Sequence, residues 1–140
     1  MSGGVSEDDV AELFAAARAV QERAYAPYSN FPVGAAIRTP SGLVFAGCNV
    51  ENAAYPQGSC AEASAISAMV AGGERSIVEV VVVTDGEALS TCCGGCRQRL
   101  REFAGPTTPI HVADRNGIRA TFTLEHLLPH SFGPENLGGF

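Results

Sequence analysis

Two short stretches hold residues whose chemistry depends on their neighbours. In GSCAEASAI, residues 58–66, Cys60 stands two positions before Glu62; in TCCGGCRQ, residues 91–98, Cys93 and Cys96 have the C-x-x-C spacing that lets two thiolates reach one ion. If the stretches meet, three thiolates can bind a metal and leave a fourth position open, the arrangement of a catalytic zinc site rather than a closed structural one. Glu62 would then stand beside the ion without binding it, placed to carry protons. Two other readings use the same residues. One is a structural zinc module in which Glu62 is merely solvated. The other is a redox dithiol of Cys93 and Cys96 at a helix N-terminus, where thiol pKa values fall. The redox reading leaves Cys60 and Glu62 without a role.

Whether the stretches meet depends on the elements around them. Ser6, an acidic first turn, and Val10, Leu13, Phe14, Ala17 and Val20 at helical spacing predict an amphipathic helix that stops before Pro27. Strands are predicted over 33–38 and 43–50, joined by the turn TPSG. After a polar segment punctuated by Gly and Pro, a small-residue helix begins at Cys60, runs to Val70 and is closed by Gly72 and Gly73. The nearly unbroken apolar run 77–83 predicts a central strand buried on both faces. CCGGCRQRLREF then starts a third helix, with Leu100 and Phe103 facing inward and Pro106 closing it. Strands over 110–113 and 118–124 and a helical turn at LEHLLP follow. This alternation predicts an α/β fold, a three-layer α/β/α sandwich on a mixed sheet of about five strands, as one domain over 1–140. Two helices packed side by side on that sheet would bring Cys60 to Cys93 and Cys96. Their positive dipole ends would partly offset the thiolate charge.

Composition narrows the class. A chain of 140 residues can bury a sizeable core without disulfides. Charged residues are 17% against roughly 25% in an average soluble domain, and hydrophobic residues 46%, so few charges are available to cover a monomer and subunit interfaces are expected. The net charge of -6 argues against a phosphate-tracking surface, so no nucleic-acid partner is expected. No apolar run approaches the ~20 residues of a membrane span, and MSGGVSEDDV lacks a basic segment followed by an apolar one; a soluble cytoplasmic protein is expected. Five cysteines, three of them within five residues, favour metal or redox work over structural bridges.

Through YSNFPVGAA, GCNVENAAYPQGSCAE, CGGCRQRLREF and LLPHSFGPENL, in that order and almost end to end, the sequence resembles the small cytidine deaminases. C-A-E followed by C-x-x-C is the cysteine form of the zinc-deaminase pattern. The resemblance implies a homotetramer with one zinc ion per subunit that hydrolyses cytidine and deoxycytidine to uridine and deoxyuridine with release of ammonia, a step of pyrimidine salvage. It implies Cys60, Cys93 and Cys96 as metal ligands and Glu62 as the catalytic proton shuttle. It further implies that Asn49 and Glu51 hold the ribose hydroxyls, that Phe31 stacks on the base and that the Ala61 backbone meets its polar edge. Tyr55 and Phe132 would complete the pocket across subunit boundaries. An anionic Glu51 near the sugar would disfavour a phosphorylated substrate. Within the same chemistry, an aminopyrimidine nucleoside antibiotic of the blasticidin type is the alternative substrate.

Two positions depart from the family pattern. Ala63 follows the glutamate where many relatives carry an arginine, and Cys92 precedes the C-x-x-C where proline is usual. Three thiolates on Zn²⁺ leave a net charge of -1, and Arg97 is the expected compensating cation. The register Cys93 to Cys96 is the one that matches the family pattern, with competition for the metal or oxidation as the alternatives open to Cys92. Without the resemblance, Asn49 and Glu51 read as loop residues, Phe31 as a core aromatic and Phe132 as an anchor for the tail. His111, His126 and His130 are expected to be surface or satisfied core residues, and Cys48 to be buried in its strand.

Overall fold

The computed structural model describes residues 6–138. The terminal residues of the expected 1–140 domain, and the MSGGV of the N-terminal reading, lie outside them. Ser6 caps helix α1 (Glu7–Gln21): its hydroxyl accepts from the Asp9 amide at 3.0 Å. Helix α2 is Ala61–Ala71, α3 is Gly94–Arg101 and α4 is Leu124–Leu127. The strands are β1 (Val33–Arg38), β2 (Val44–Cys48), β3 (Glu79–Thr84), β4 (Pro109–Asp114) and β5 (Gly117–Thr123), in the order β2-β1-β3-β4-β5. Strands β3 and β4 run parallel and the other neighbours antiparallel, which makes the five-stranded sheet mixed.

Alternation along each strand divides the core between the two faces of the sheet. Ala36, Val81, Val83 and Ala113 pack with Leu13 and Ala17 of α1. Ala35, Ile37, Val80, Val82 and Ile110 point the other way, against Ala65 and Met69 of α2 and Leu100 of α3. The result is the expected three-layer sandwich. Two glycines set how closely the helices approach. A Cβ on Gly34 would lie 2.1 Å from the Ala17 carbonyl oxygen, and one on Gly47 would lie 2.4 Å from the Ala65 nitrogen.

The element ends differ from the sequence reading in informative ways. Strand β3 is buried at every position, but it begins at Glu79: Val78 is 40% exposed and Ile77 bridges Ala104 instead. Strand β2 leaves its ladder after Cys48, because Val50 pairs with Ser59 and Tyr25, which draws the chain toward the start of α2. As part of an edge strand, Cys48 is half-buried rather than buried. Phe103 lies just past the end of α3 but still packs on the core.

The run of valines conceals a buried carboxylate. Glu79, 1% exposed, lies 2.9 Å from His111 Nε2 and 3.4 Å from Arg38 Nε, while His111 Nδ1 meets the Thr121 hydroxyl at 2.8 Å. Arg38 extends the network to Glu12 and the Asp9 carbonyl of α1. His111 is thus a satisfied core histidine. Among the described residues no helix is long and apolar enough to cross a membrane.

Candidate metal centre and active site

Cys60 occupies the N-cap of α2 and Cys93 the N-cap of α3, both with extended backbone (φ -74° and -68°), and neither thiol makes a capping hydrogen bond. Cys96 lies one turn into α3 and is fully buried. Because α2 and α3 pack on the same sheet face and start at the same end of it, the three sulfurs lie within 4.8 Å of one another. Three soft donors at mutual distances that one small ion can bridge, two of them at positive helix ends, fit a zinc ion with an open fourth position.

Cys92 is not part of this cluster. It is 3% exposed, and burial, followed by the charge of Glu62, pushes its thiol up to about 11, so it stays protonated at neutral pH. Burial likewise raises the thiols of Cys60 and Cys96. Cys93 moves the other way: burial opposes ionisation, but hydrogen bonds from the Cys96 backbone and from the thiols of Cys96 and Cys60 outweigh it and lower its pKa.

Glu62, in the first turn of α2, is 4% exposed. Burial raises its carboxyl above the ordinary glutamate range, opposed by hydrogen bonds from its own backbone N–H and the Cys96 thiol and by the charge of Arg99. It opens into a cavity of about 250 Å³ that Phe31, Asn49, Cys60, Ala61, Cys92 and Cys93 also line, with Val33 and Val82 among its apolar walls. A carboxyl held toward its neutral form beside a metal-competent thiol cluster is placed to give and take protons.

Comparison with known proteins settles the family. Residues 7–112 match the model of the cytidine and deoxycytidylate deaminase zinc-binding region. A cytidine deaminase of Sporosarcina psychrophila is 40% identical over 129 residues, covering 92% of this chain and 95% of the relative. The crystal structure of cytidine deaminase from Burkholderia pseudomallei superposes with a TM-score of 0.82 at 39% identity, over 91% of this chain and all of that one. That from Mycobacterium leprae gives a TM-score of 0.75 at 41% identity, with the same coverage. This chain belongs to the cytidine and deoxycytidylate deaminase family. It is therefore an enzyme of the hydrolase class, and zinc is its metal: the matched region is the family's zinc-binding one, and the Cys60, Cys93 and Cys96 cluster lies within it.

The other residues that the sequence resemblance points to in this deaminase family member do not all share one cavity. The Asn49 carboxamide accepts from the Val33 amide at 2.9 Å and donates to the Phe31 carbonyl at 3.0 Å, so it holds the segment that lines the cavity. Asn30, at φ 55°, makes the left-handed turn into Phe31, a conformation that asparagine tolerates better than most residues. Glu51 and Tyr55 line a second cavity of about 350 Å³, with Tyr28, Ser29, Asn52 and Gly58. There Glu51 accepts from the amides of Tyr28 (2.9 Å) and Ser29 (3.1 Å) and from the Ser29 hydroxyl, and this last bond is the main reason that its pKa is lowered. The Tyr28 and Tyr55 rings meet edge to face at 6.0 Å. Phe132 lines neither cavity. It is 59% exposed on the tail beyond α4, its carbonyl accepting from Gln98 Nε2 at 2.8 Å.

The expectation for Arg97 requires correction. Its guanidinium donates to the Cys92 carbonyl (2.9 Å), the Leu127 carbonyl (2.7 Å) and the Thr91 hydroxyl (2.7 Å), which ties the loop before α3 to α4; among the described residues none of these bonds goes to the sulfurs of Cys60, Cys93 or Cys96. Adjacent residues on a helix do not share a face, whereas residues three apart do. Arg99, three positions after Cys96, is the residue whose Nη1 lies 3.8 Å from the Cys96 sulfur. The i, i+3 spacing was present in the sequence and is the signal that identifies it.

Proposed function

We propose that this chain is a zinc-dependent deaminase of free nucleosides that converts cytidine and deoxycytidine to uridine and deoxyuridine, acting as a single catalytic domain in pyrimidine salvage in the cytoplasm. The observation that carries the reading is the opening of Glu62 and of the Cys60 and Cys93 thiols into one cavity, inside a chain whose relatives are named cytidine deaminases.

Cys60, Cys93 and Cys96 would hold the ion. When bound, zinc supplies the Lewis acidity that makes a water molecule a competent nucleophile near neutral pH. Glu62 takes a proton from that water and delivers it to N3 of the pyrimidine; it later passes a proton to the departing amino group. The water oxygen becomes the C4 carbonyl oxygen of the product, the C4–N bond breaks, and the nitrogen leaves as ammonia. Phe31 stacks on the base and the Ala61 backbone meets its polar edge. Asn49 and Glu51 engage the ribose hydroxyls, with Glu51 also disfavouring a phosphate on the sugar by charge repulsion.

The burial of Glu62 argues against a structural zinc module with a solvated carboxylate, and the proximity of Cys60 argues against an isolated Cys93–Cys96 dithiol. Tyr55, 75% exposed, and Phe132 support completion of the pocket across subunits of a homotetramer. The test is incubation of the purified protein with cytidine, deoxycytidine and cytidine monophosphate, following ultraviolet absorbance and ammonia alongside zinc content and sedimentation equilibrium. Ammonia equimolar with uridine, abolished by chelation, is expected. A zinc-replete protein inert toward both nucleosides would overturn the reading.

A further inference from the structure

Three thiolates and one Zn²⁺ sum to a charge of -1, which weakens the Lewis acidity of the ion unless a cation withdraws electron density from a sulfur. Helix α2 supplies none: AEASAISAMVA contains no lysine or arginine, and position 63, one residue past Glu62, is alanine. Helix α3 carries three arginines, and the structure gives each a different task. Arg97 is committed to Thr91, Cys92 and Leu127, as described above. Arg101 is committed to the Ser131 hydroxyl at 2.8 Å and to Glu135. Among the described residues, the hydrogen bond that Arg99 makes is to the sulfur of Cys96.

The surroundings hold Arg99 in that position. Its i, i+3 relation to Cys96 puts both side chains on one face of α3. The guanidinium lies over the first turn of the helix, where a Cβ on Gly95 would come within 3.1 Å of Nη1, so the absence of a side chain at 95 leaves room for it. Cys96 is the fully buried member of the cluster, and its thiolate is therefore the one least screened by solvent.

We infer that Arg99 is the charge-tuning residue of the metal centre: donating to the Cys96 sulfur from its own helix, it offsets the excess negative charge of a three-thiolate zinc site that α2 leaves uncompensated. It acts through Cys96 and does not touch substrate. The inference rests on the metal-centre reading above and adds to it which side chain sets the electrophilicity of the ion.

The experiment uses cobalt(II)-substituted protein, in which thiolate-to-metal charge transfer gives a near-ultraviolet band that reports the energy of the sulfur electrons. A hydrogen bond from a cation stabilises those electrons, so Arg99→Gln moves the band to lower energy. In the zinc enzyme the same variant lowers kcat by about tenfold or more at unchanged metal stoichiometry and KM. Arg99→Lys, which keeps the charge, restores part of both. Cobalt-loaded Arg99→Gln with an unmoved band and unchanged kcat overturns the inference while leaving the metal centre intact. Wild-type protein that takes up cobalt without any thiolate band overturns the metal-centre reading, and the inference with it.

Discussion

Asn49 bonds the backbone on both sides of Pro32: its carboxamide donates to the Phe31 carbonyl and accepts from the Val33 amide, so one side chain sets where the Phe31 ring stands relative to β1. A neutral hydrogen bond contributes about 0.5–1.5 kcal/mol net. Asn49→Ala, which removes two of them along with the proposed ribose contact, is expected to raise KM for cytidine by about tenfold or more. Steady-state kinetics checks this, and zinc content should be unaffected.

Glu62→Gln keeps the shape of a residue that is almost completely buried while removing its capacity to carry a proton. Positioned acid–base groups contribute about 10²–10⁴-fold, and kcat is expected to fall by that range with zinc stoichiometry and unfolding midpoint retained. Turnover near that of the parent enzyme would reject the shuttle role.

The register of the ligands predicts different fates for adjacent residues. Cys92→Ser is expected to retain one zinc per chain, because its buried thiol lies outside the cluster and stays protonated at neutral pH. Cys93→Ser removes one of three sulfur ligands, and the ion should be lost to a modest chelator concentration. Metal analysis after dialysis distinguishes the two, and the reverse order would move the ligand set by one residue.

The hydrogen bonds to Glu51 define a pH dependence. The Ser29 hydroxyl first, and the Ser29 and Tyr28 amides with it, lower the pKa of this carboxyl in the folded chain. A depressed carboxyl contributes stability that is fully present above the unfolded-state value and is lost as pH falls through the lower folded-state value. The Tyr28 and Ser29 amide resonances should therefore hold their positions as pH drops through the ordinary glutamate range and shift only below it. Glu51→Gln should abolish that low-pH shift.

The Glu79 network predicts a stability effect remote from the chemistry. Removing one partner from a buried, hydrogen-bonded charge pair costs about 3–5 kcal/mol, and Glu79→Leu takes the carboxylate from Arg38 Nε and His111 Nε2 while Arg38 keeps Glu12 and the Asp9 carbonyl and His111 keeps Thr121. Urea unfolding should show a loss of that size. Zinc content under native conditions should be unchanged.

What the sequence revealed follows the range of the interactions involved. The start of α2 at Cys60 and of α3 at Cys93 could be read locally, from small residues, glycines and C-x-x-C spacing, and the alternation of strands and helices was enough to predict that both starts lie on one sheet. Arg97 is next to Cys96 in the chain but on another side of the helix, whereas Arg99, three residues after Cys96, shares its face. Glu79 was concealed within an apolar strand because its partner His111 lies 32 residues away. The capture of the Ser29 hydroxyl by Glu51 spans 22 residues and leaves no periodic trace. Phe132 belongs to a tail beyond the matched region, and a single chain provides no second subunit against which to place it.

Most helices open on a serine, threonine or aspartate that ties down their first free amides. Here α2 and α3 both open on a cysteine that does not. The apoprotein therefore lacks two local fasteners at the same spot, and a single ion replaces both when its ligands close around it. Zinc scarcity would then be felt first as fraying of two helix starts around the pocket, so that the metal acts as a structural clasp for the very segments on which it performs its chemistry.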